Sequence, residues 1–125
     1  GICALKLGAK EAIMLDIDDV AIESAILNAQ TNNVKDKATI LKRDIIYKAD
    51  KKLHADIIFV NINSKTNMDY AENINNNINA NGIAILSGIL PEYREKIRHA
   101  YEIKGFDVVN EYTLDNWVTY VMKKR

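Results

Sequence analysis

The chain of 125 residues is long enough for one domain with a sizeable core. Its 17 Lys and Arg balance 17 Asp and Glu, so no net positive field recruits nucleic acid or an anionic membrane surface. Although 48% of the residues are hydrophobic, no apolar run approaches the roughly 20 residues of a membrane span. Cys3 is the only cysteine, which excludes an intrachain disulfide. We therefore expect a cytoplasmic protein in which Cys3 is a small buried hydrophobe.

The first part of the chain has helix and strand patterns in alternation. Residues 2–7 are typical of the end of a helix, with Gly8 as its C-cap. Residues 12–16 predict a strand. Residues 19–32 predict a helix whose apolar side chains recur on one face, with Asp18 as its N-cap.

The middle of the chain continues this alternation. Residues 38–44 and 55–62 predict two strands, and the second is apolar almost throughout, as in a strand covered on both faces. A weaker helix pattern, rich in asparagine, covers residues 66–80. Residues 82–90 predict a fourth strand that leads into a turn at Ser87 and Gly88.

The last part of the chain has a different pattern. Pro91 begins a helix that extends to about Lys104, because proline suits the first helical position. Two alternating segments then flank a short turn at Asp115 and Asn116, which predicts an antiparallel hairpin. The closing Lys-Lys-Arg reads as a solvated tail. This order predicts a single α/β domain over residues 1–125, with a mostly parallel sheet and a C-terminal hairpin.

Three acids follow the first predicted strand, at Asp16, Asp18 and Asp19. In open α/β sheets, ligands bind beyond the carboxyl ends of the strands, where a carboxylate can accept two hydrogen bonds from a ribose diol. Asp16 ends its strand and is the candidate ribose ligand, while Asp19 suits the first-turn dipole. The alternative is that all three acids only start a helix. A nicotinamide dinucleotide and S-adenosylmethionine both carry an adenosine ribose, so the acids alone do not distinguish these cofactors.

Histidines offer little chemistry here. His54 precedes a strand and His99 lies on a helix, and neither has metal-ligand spacing to Cys3 or to the other histidine. We expect no metal site.

Four segments together resemble the class I S-adenosylmethionine-dependent methyltransferases. They are "ALKLGAKEAIMLDIDDVAIESAILNAQTNNV", "ADIIFVNI", "LSGIL" and "NWVTYVMKKR", and the resemblance runs from Ala4 to Arg125. The "LKLGA…DID" and "LSGIL" motifs are similar to those of the bacterial ribosomal-protein methyltransferases that trimethylate the eleventh protein of the large ribosomal subunit. The resemblance implies a Rossmann-like sheet and methylation of a ribosomal protein.

The resemblance also implies roles for three residues. Asp16 would bind the ribose of S-adenosylmethionine, and Asp44 would approach the adenine amine. Asn61 would bind the cofactor near the methyl-transfer centre and act as the catalytic residue, although it could instead cap the next turn. In-line displacement at the sulfonium needs no metal, because positioning supplies most of the catalysis.

The family's first strand, its glycine loop and its N-terminal substrate-recognition domain are absent from these 125 residues. We therefore expect a partial methyltransferase domain, with unpaired strand edges through which copies could associate. Two alternatives are a fragment of a nicotinamide-dependent oxidoreductase and a non-catalytic remnant that associates through those edges. The terminal antiparallel hairpin favours the methyltransferase.

Overall fold

The structure is a computed structural model that describes residues 1–44 and 53–125. It divides into two compact units. Of the described residues, 1–44 belong to the first unit and 53–125 to the second.

The first unit contains a two-stranded parallel sheet with helices beside it. Its elements are α1 (Ile2–Lys6), β1 (Ala12–Asp16), α2 (Asp19–Thr31), a 3-10 turn (Lys35–Lys37) and β2 (Ala38–Lys42). The two strands pair in parallel register. A small core of Leu5, Ala29 and Val34 fixes α1 and α2 against the strands. The C-cap of α1 is Leu7, and Gly8, the predicted cap, follows it with a positive φ of +106°.

The second unit contains a four-stranded mixed sheet. Its elements are β3 (Ala55–Asn61), α3 (Ser64–Asp69), α4 (Ala71–Asn77), β4 (Ile78–Ile89), a 3-10 turn (Pro91–Tyr93), α5 (Arg94–Glu102), β5 (Phe106–Leu114) and β6 (Trp117–Lys124). The strand order is β3-β4-β6-β5. The β3–β4 pair is parallel and the other two pairs are antiparallel. The predicted combination of parallel strands with a terminal hairpin is confirmed.

The turn of that hairpin was predicted at the right two residues. Asp115 and Asn116 both have positive φ, +47° and +62°. Positive φ at both central residues is the geometry of the type I′ turn, whose twist matches that of the flanking strands.

Strand β3 corrects one prediction, since only one of its faces is covered. Val60 is buried, but Ile57 and Phe59 are 54% and 59% exposed. Alternate residues of a strand point to opposite sides of the sheet. The apolar composition therefore correctly predicted a strand, but one face of it remains open to solvent.

The predicted helix over residues 66–80 is two short helices, α3 and α4, which meet at Tyr70. The second ends at Asn77 because Ile78 already pairs with Ala55 in the sheet. The Lys124 ammonium donates to the carbonyls of Asn75 and Ile78, at 2.7 and 3.1 Å. Strand pairing and a cation at the helix end thus stop the helix three residues early.

Two further predictions are wrong. Cys3 is exposed, because the five-residue α1 buries only Leu5. The C-terminal residues are not a solvated tail. Besides the contacts of Lys124, the Arg125 amide donates to the Gly105 carbonyl at 2.9 Å and its guanidinium pairs with Asp107.

Each sheet has an edge strand whose last residue is a candidate site residue. Strand β1, which ends at Asp16, is one of the two strands of the first sheet, and β3, which ends at Asn61, is an edge of the second. Among the described residues, neither strand has a partner on its other side. This agrees with the predicted unpaired edges.

Candidate functional site

In the first unit, the two parallel strands end at the same edge of their sheet. Asp16, the last residue of β1, lies opposite Lys42, the last residue of β2. The Arg43 amide donates to the Asp16 carbonyl at 2.8 Å, so the pairing continues just past β2. Asp44 is the next residue and is half-buried. Asp16 and Asp44 therefore lie at the same carboxyl edge of the sheet.

The Asp16 carboxylate is exposed and is held in one orientation by the backbone that follows it. Its Oδ1 accepts a hydrogen bond from the Asp18 amide at 3.0 Å. Within the described chain Oδ2 has no partner, so it remains available to a ligand. A carboxylate oxygen has two lone pairs, which lets Oδ1 accept a second bond. This carboxylate thus has acceptor positions for both hydroxyls of a vicinal diol.

The other two acids of the cluster have separate structural roles. Asp18 is the N-cap of α2, and its carboxylate accepts from the Val20 amide at 3.1 Å. Asp19 lies in the first turn, where acids are favourable, and pairs with the Lys42 ammonium at 2.8 Å. The predicted cap and first-turn acid are confirmed. The sequence did not predict the ion pair, because it joins residues 23 positions apart.

In the second unit, Asn61 is the last residue of β3 and is exposed. It lies opposite Ser87 of the parallel strand β4. The next residue, Gly88, has φ +73°, and a Cβ there would be 3.0 Å from Asn61 Oδ1 and 3.0 Å from the Ile62 carbonyl. The Asn61 side chain and the chain after it therefore lie close against Gly88, where an added Cβ would be packed tightly.

The alternative role of Asn61 as a helix cap is wrong, because Asn63 caps α3. Asn63 Oδ1 accepts from the Thr66 amide at 3.0 Å and from the Thr66 hydroxyl at 2.9 Å. The sequence signal for this cap was an asparagine, Asn63, two residues after the end of β3, because asparagine is a preferred N-cap. Asn61 therefore does not cap α3.

Sequence reasoning missed Ser64, which is buried at the start of α3. Its hydroxyl accepts from the Leu90 amide at 3.1 Å and lies 3.4 Å from the Gly88 carbonyl, to which it donates. Ser64 thus joins the chain after β3 to the chain after β4. No local pattern signals a contact across 26 positions.

Two kinds of feature are absent from the described residues. No three His, Cys, Asp or Glu side chains in residues 1–44 and 53–125 are grouped as a metal ion would require. No helix in this part of the chain has the length and apolar character to cross a bilayer.

The architecture is that of the Rossmann-like class I methyltransferases, with parallel strands followed by a C-terminal antiparallel pair. A crystal structure of ribosomal protein L11 methylase from Lactobacillus delbrueckii subsp. bulgaricus superposes with a TM-score of 0.90. It is 27% identical, and the match covers 99% of this chain and 63% of that one. An RNA methyltransferase from Salinibacter ruber, solved in complex with S-adenosyl-L-homocysteine, shares the fold at 13% identity with a TM-score of 0.75. That match covers 98% of this chain and 71% of the other.

The family follows from the sequence comparison. The family model for ribosomal protein L11 methyltransferase (PrmA) matches residues 1–125, and the chain belongs to this family. Ribosomal protein L11 methyltransferase of Anoxybacillus flavithermus is 31% identical over 124 residues, which are 99% of this chain. The chain spans 39% of the length of that relative.

Proposed function

We propose that this chain is the cofactor-binding part of an S-adenosylmethionine-dependent methyltransferase domain that acts on amino groups of a ribosomal protein in the cytoplasm. The observation that carries the proposal is the Asp16 carboxylate. It ends a parallel strand, it is exposed, and one of its oxygens is fixed by the Asp18 amide. The match of the family model over all 125 residues supports the same proposal.

Each candidate residue has a proposed task. Asp16 accepts both hydroxyls of the cofactor ribose, in charge-assisted bonds that are stronger than neutral ones. Asp44 approaches the adenine amine. Asn61 contacts the cofactor near the methyl group and the incoming amine, and it orients them by hydrogen bonding. When bound, S-adenosylmethionine would supply an electrophilic methyl group: an amine nitrogen would attack the methyl carbon in line with the C–S bond, and S-adenosylhomocysteine would leave without the help of a metal.

The acceptor is proposed from the relatives, whose name specifies ribosomal protein L11. The chain covers 39% of the relative's length. We assign recognition of that protein to residues of such a longer protein that lie outside these 125.

Self-association is a second proposed property, and it rests on the edge strands β1 and β3. An edge strand presents unpaired backbone groups to a second chain. Light scattering is expected to show dimers or larger species. Ile57→Lys, on β3, should shift these towards monomer, whereas Ile103→Lys, at a similarly exposed position at the end of α5 and outside the sheet, should not. A monomeric wild-type chain would contradict the proposal.

A titration of the 15N-labelled chain with S-adenosylhomocysteine and with NAD tests the cofactor. Amide chemical shifts can detect weak binding. We expect weak binding because the family's glycine loop is not among these residues. The Asp16–Asp19 amides should shift with S-adenosylhomocysteine at a lower concentration than with NAD. Tighter binding of NAD would favour an oxidoreductase, and no shift with either ligand would favour a non-catalytic remnant.

A further inference from the structure

The second unit contains a buried hydroxyl next to the proposed methyl-transfer residue. Ser64 is 5% exposed, and its hydroxyl lies between the Gly88 carbonyl and the Leu90 amide. Gly88 in turn lies against Asn61 Oδ1 and the Ile62 carbonyl. Residues 61–64 are thus attached to residues 88–90 at two points, one beside Asn61 and one three residues after it.

The attachment beside Asn61 is a contact without a hydrogen bond. The lack of a side chain on Gly88 makes room for the Asn61 carboxamide, but it does not hold that group in place. The backbone pairing of β3 with β4 ends at Asn61 and Ser87. An exposed side chain at the end of a strand keeps its orientation only if the chain that follows is fixed. Ser64 supplies the first long-range hydrogen bonds after that point.

We infer that Ser64 is a positioning residue, which holds the Asn61 carboxamide against Gly88 and so orients it towards the bound cofactor. This inference rests on the proposed methyltransferase function. A misplacement of about 1 Å can lower the rate of an enzyme by about a hundredfold, so the buried hydroxyl affects chemistry without touching the cofactor.

Asn63 offers a matched control on the same turn. Its side chain also stabilises the start of α3, but its contacts reach only Thr66. Asn63→Ala should therefore weaken the start of α3, whereas Ser64→Ala should leave this cap intact. Only Ser64→Ala removes the connection to Gly88 and Leu90.

The test is a spectrum of the 15N-labelled 125-residue chain, in which the Asn61 side-chain amide is observed with and without S-adenosylhomocysteine. In the free chain, Ser64→Ala should move the two Asn61 side-chain signals towards those of a freely rotating asparagine, and Asn63→Ala should leave them in place. On titration, the wild-type and Asn63→Ala chains should show shifts at both Asn61 and the Asp18 amide. Ser64→Ala should keep the Asp18 shift and lose most of the Asn61 shift.

The outcomes separate this inference from the proposed function. Unchanged Asn61 signals in Ser64→Ala, or equal changes in both variants, would overturn the positioning role while leaving cofactor binding intact. Absence of any ligand-induced shift in the wild-type chain would overturn the proposed function and with it the orientation towards cofactor. The free-chain spectra would then decide only whether Ser64 holds Asn61.

Discussion

The two strand ends that carry the candidate residues are held by different kinds of contact. In the first unit, the Asp16 and Asp18 carboxylates each accept from an amide two residues further on. In the second unit, the chain around Asn61 is held by Gly88 and Leu90, which lie 24 to 26 positions from Ser64. Local hydrogen bonds form wherever a turn has the right residues, whereas distant ones require the strands to be in register. We therefore expect mutations elsewhere in the chain to disturb the end of β1 less than the end of β3.

Gly88→Ala should have the largest effect on stability, because the added methyl group lies directly against the end of β3. The left-handed conformation costs a residue with a side chain about 1–2 kcal/mol, and overpacking against Asn61 and Ile62 adds to this. We expect a loss of about 3 kcal/mol in the free energy of unfolding. Trp117, the only tryptophan, lies on β6 and reports urea unfolding of this unit by its fluorescence.

Gly105→Ala is the control for that variant. Its φ is also positive, +93°, but a Cβ there would have nothing within 4 Å. Only the backbone strain remains, which costs about 1 kcal/mol. Equal losses in the two variants would mean that the close contacts of Gly88 with Asn61 and Ile62 contribute nothing.

Asp16→Ala tests the first strand end and its proposed ligand. We expect cofactor affinity to fall about thirtyfold, or about 2 kcal/mol, because hydrogen bonds to a charged group contribute about 1.5–3 kcal/mol and water recovers a part. Calorimetry should use a protein extended at its N-terminus by the matching residues of a family relative, so that binding is tight enough to measure.

Asp19→Ala is the matched variant in that experiment. Asp19 belongs to the same acidic cluster, but its carboxylate pairs with Lys42. Its removal should hardly change affinity. Equal losses from Asp16→Ala and Asp19→Ala would show that the cluster only starts a helix.

Tyr101 tests a long-range contact of the second unit through pH. It is fully buried, and its hydroxyl donates to Asn67 Oδ1 at 2.9 Å. Burial raises the pKa of Tyr101 well above the ordinary value of about 10. Below pH 10 both the folded and unfolded states keep the proton, so the stabilisation is complete. Above pH 10 the unfolded state releases the proton first, and stability falls by about 1.4 kcal/mol per pH unit.

The measurement for Tyr101 is urea unfolding between pH 9 and 11.5, followed by Trp117 fluorescence. Tyr101→Phe should be less stable than the wild type at pH 9, because it lacks the hydrogen bond to Asn67. Above pH 10, the stability of this variant should fall less steeply with pH than that of the wild type. The difference should be about 1.4 kcal/mol per pH unit, because the variant lacks the one proton that Tyr101 releases on unfolding. Parallel curves for the two proteins would contradict the raised pKa.

The smallest effects are expected at the start of α2. Asp18→Ala removes the cap and should cost about 1 kcal/mol, measured as faster hydrogen exchange of the α2 amides. Asp19→Ala removes a first-turn acid and an exposed ion pair with Lys42, which together contribute about 0.5 kcal/mol. A larger cost at Asp19 than at Asp18 would reverse the roles that the structure gives them.

The sequence by itself determined the features that depend on neighbours in the chain. The Asp18 cap, the glycine turn after α1 and the Asp115–Asn116 turn are all local hydrogen-bonding or φ requirements, and the structure has each of them. The order of helices and strands was also predictable, because apolar periodicity sets it. Asp16 could be placed at the carboxyl end of its strand for the same reason.

Only the tertiary structure decided which faces and side chains are covered. Ile57 and Phe59 have the composition of a buried strand, yet their face of β3 is open, because burial depends on what packs against the sheet. Lys124 was read as part of a tail, but strand pairing brings its ammonium to the end of α4. Ser64 acquires its role in the same way. Its partners are 24 and 26 residues away, and no pattern within a helix or strand encodes a contact that exists only after β3 and β4 are aligned.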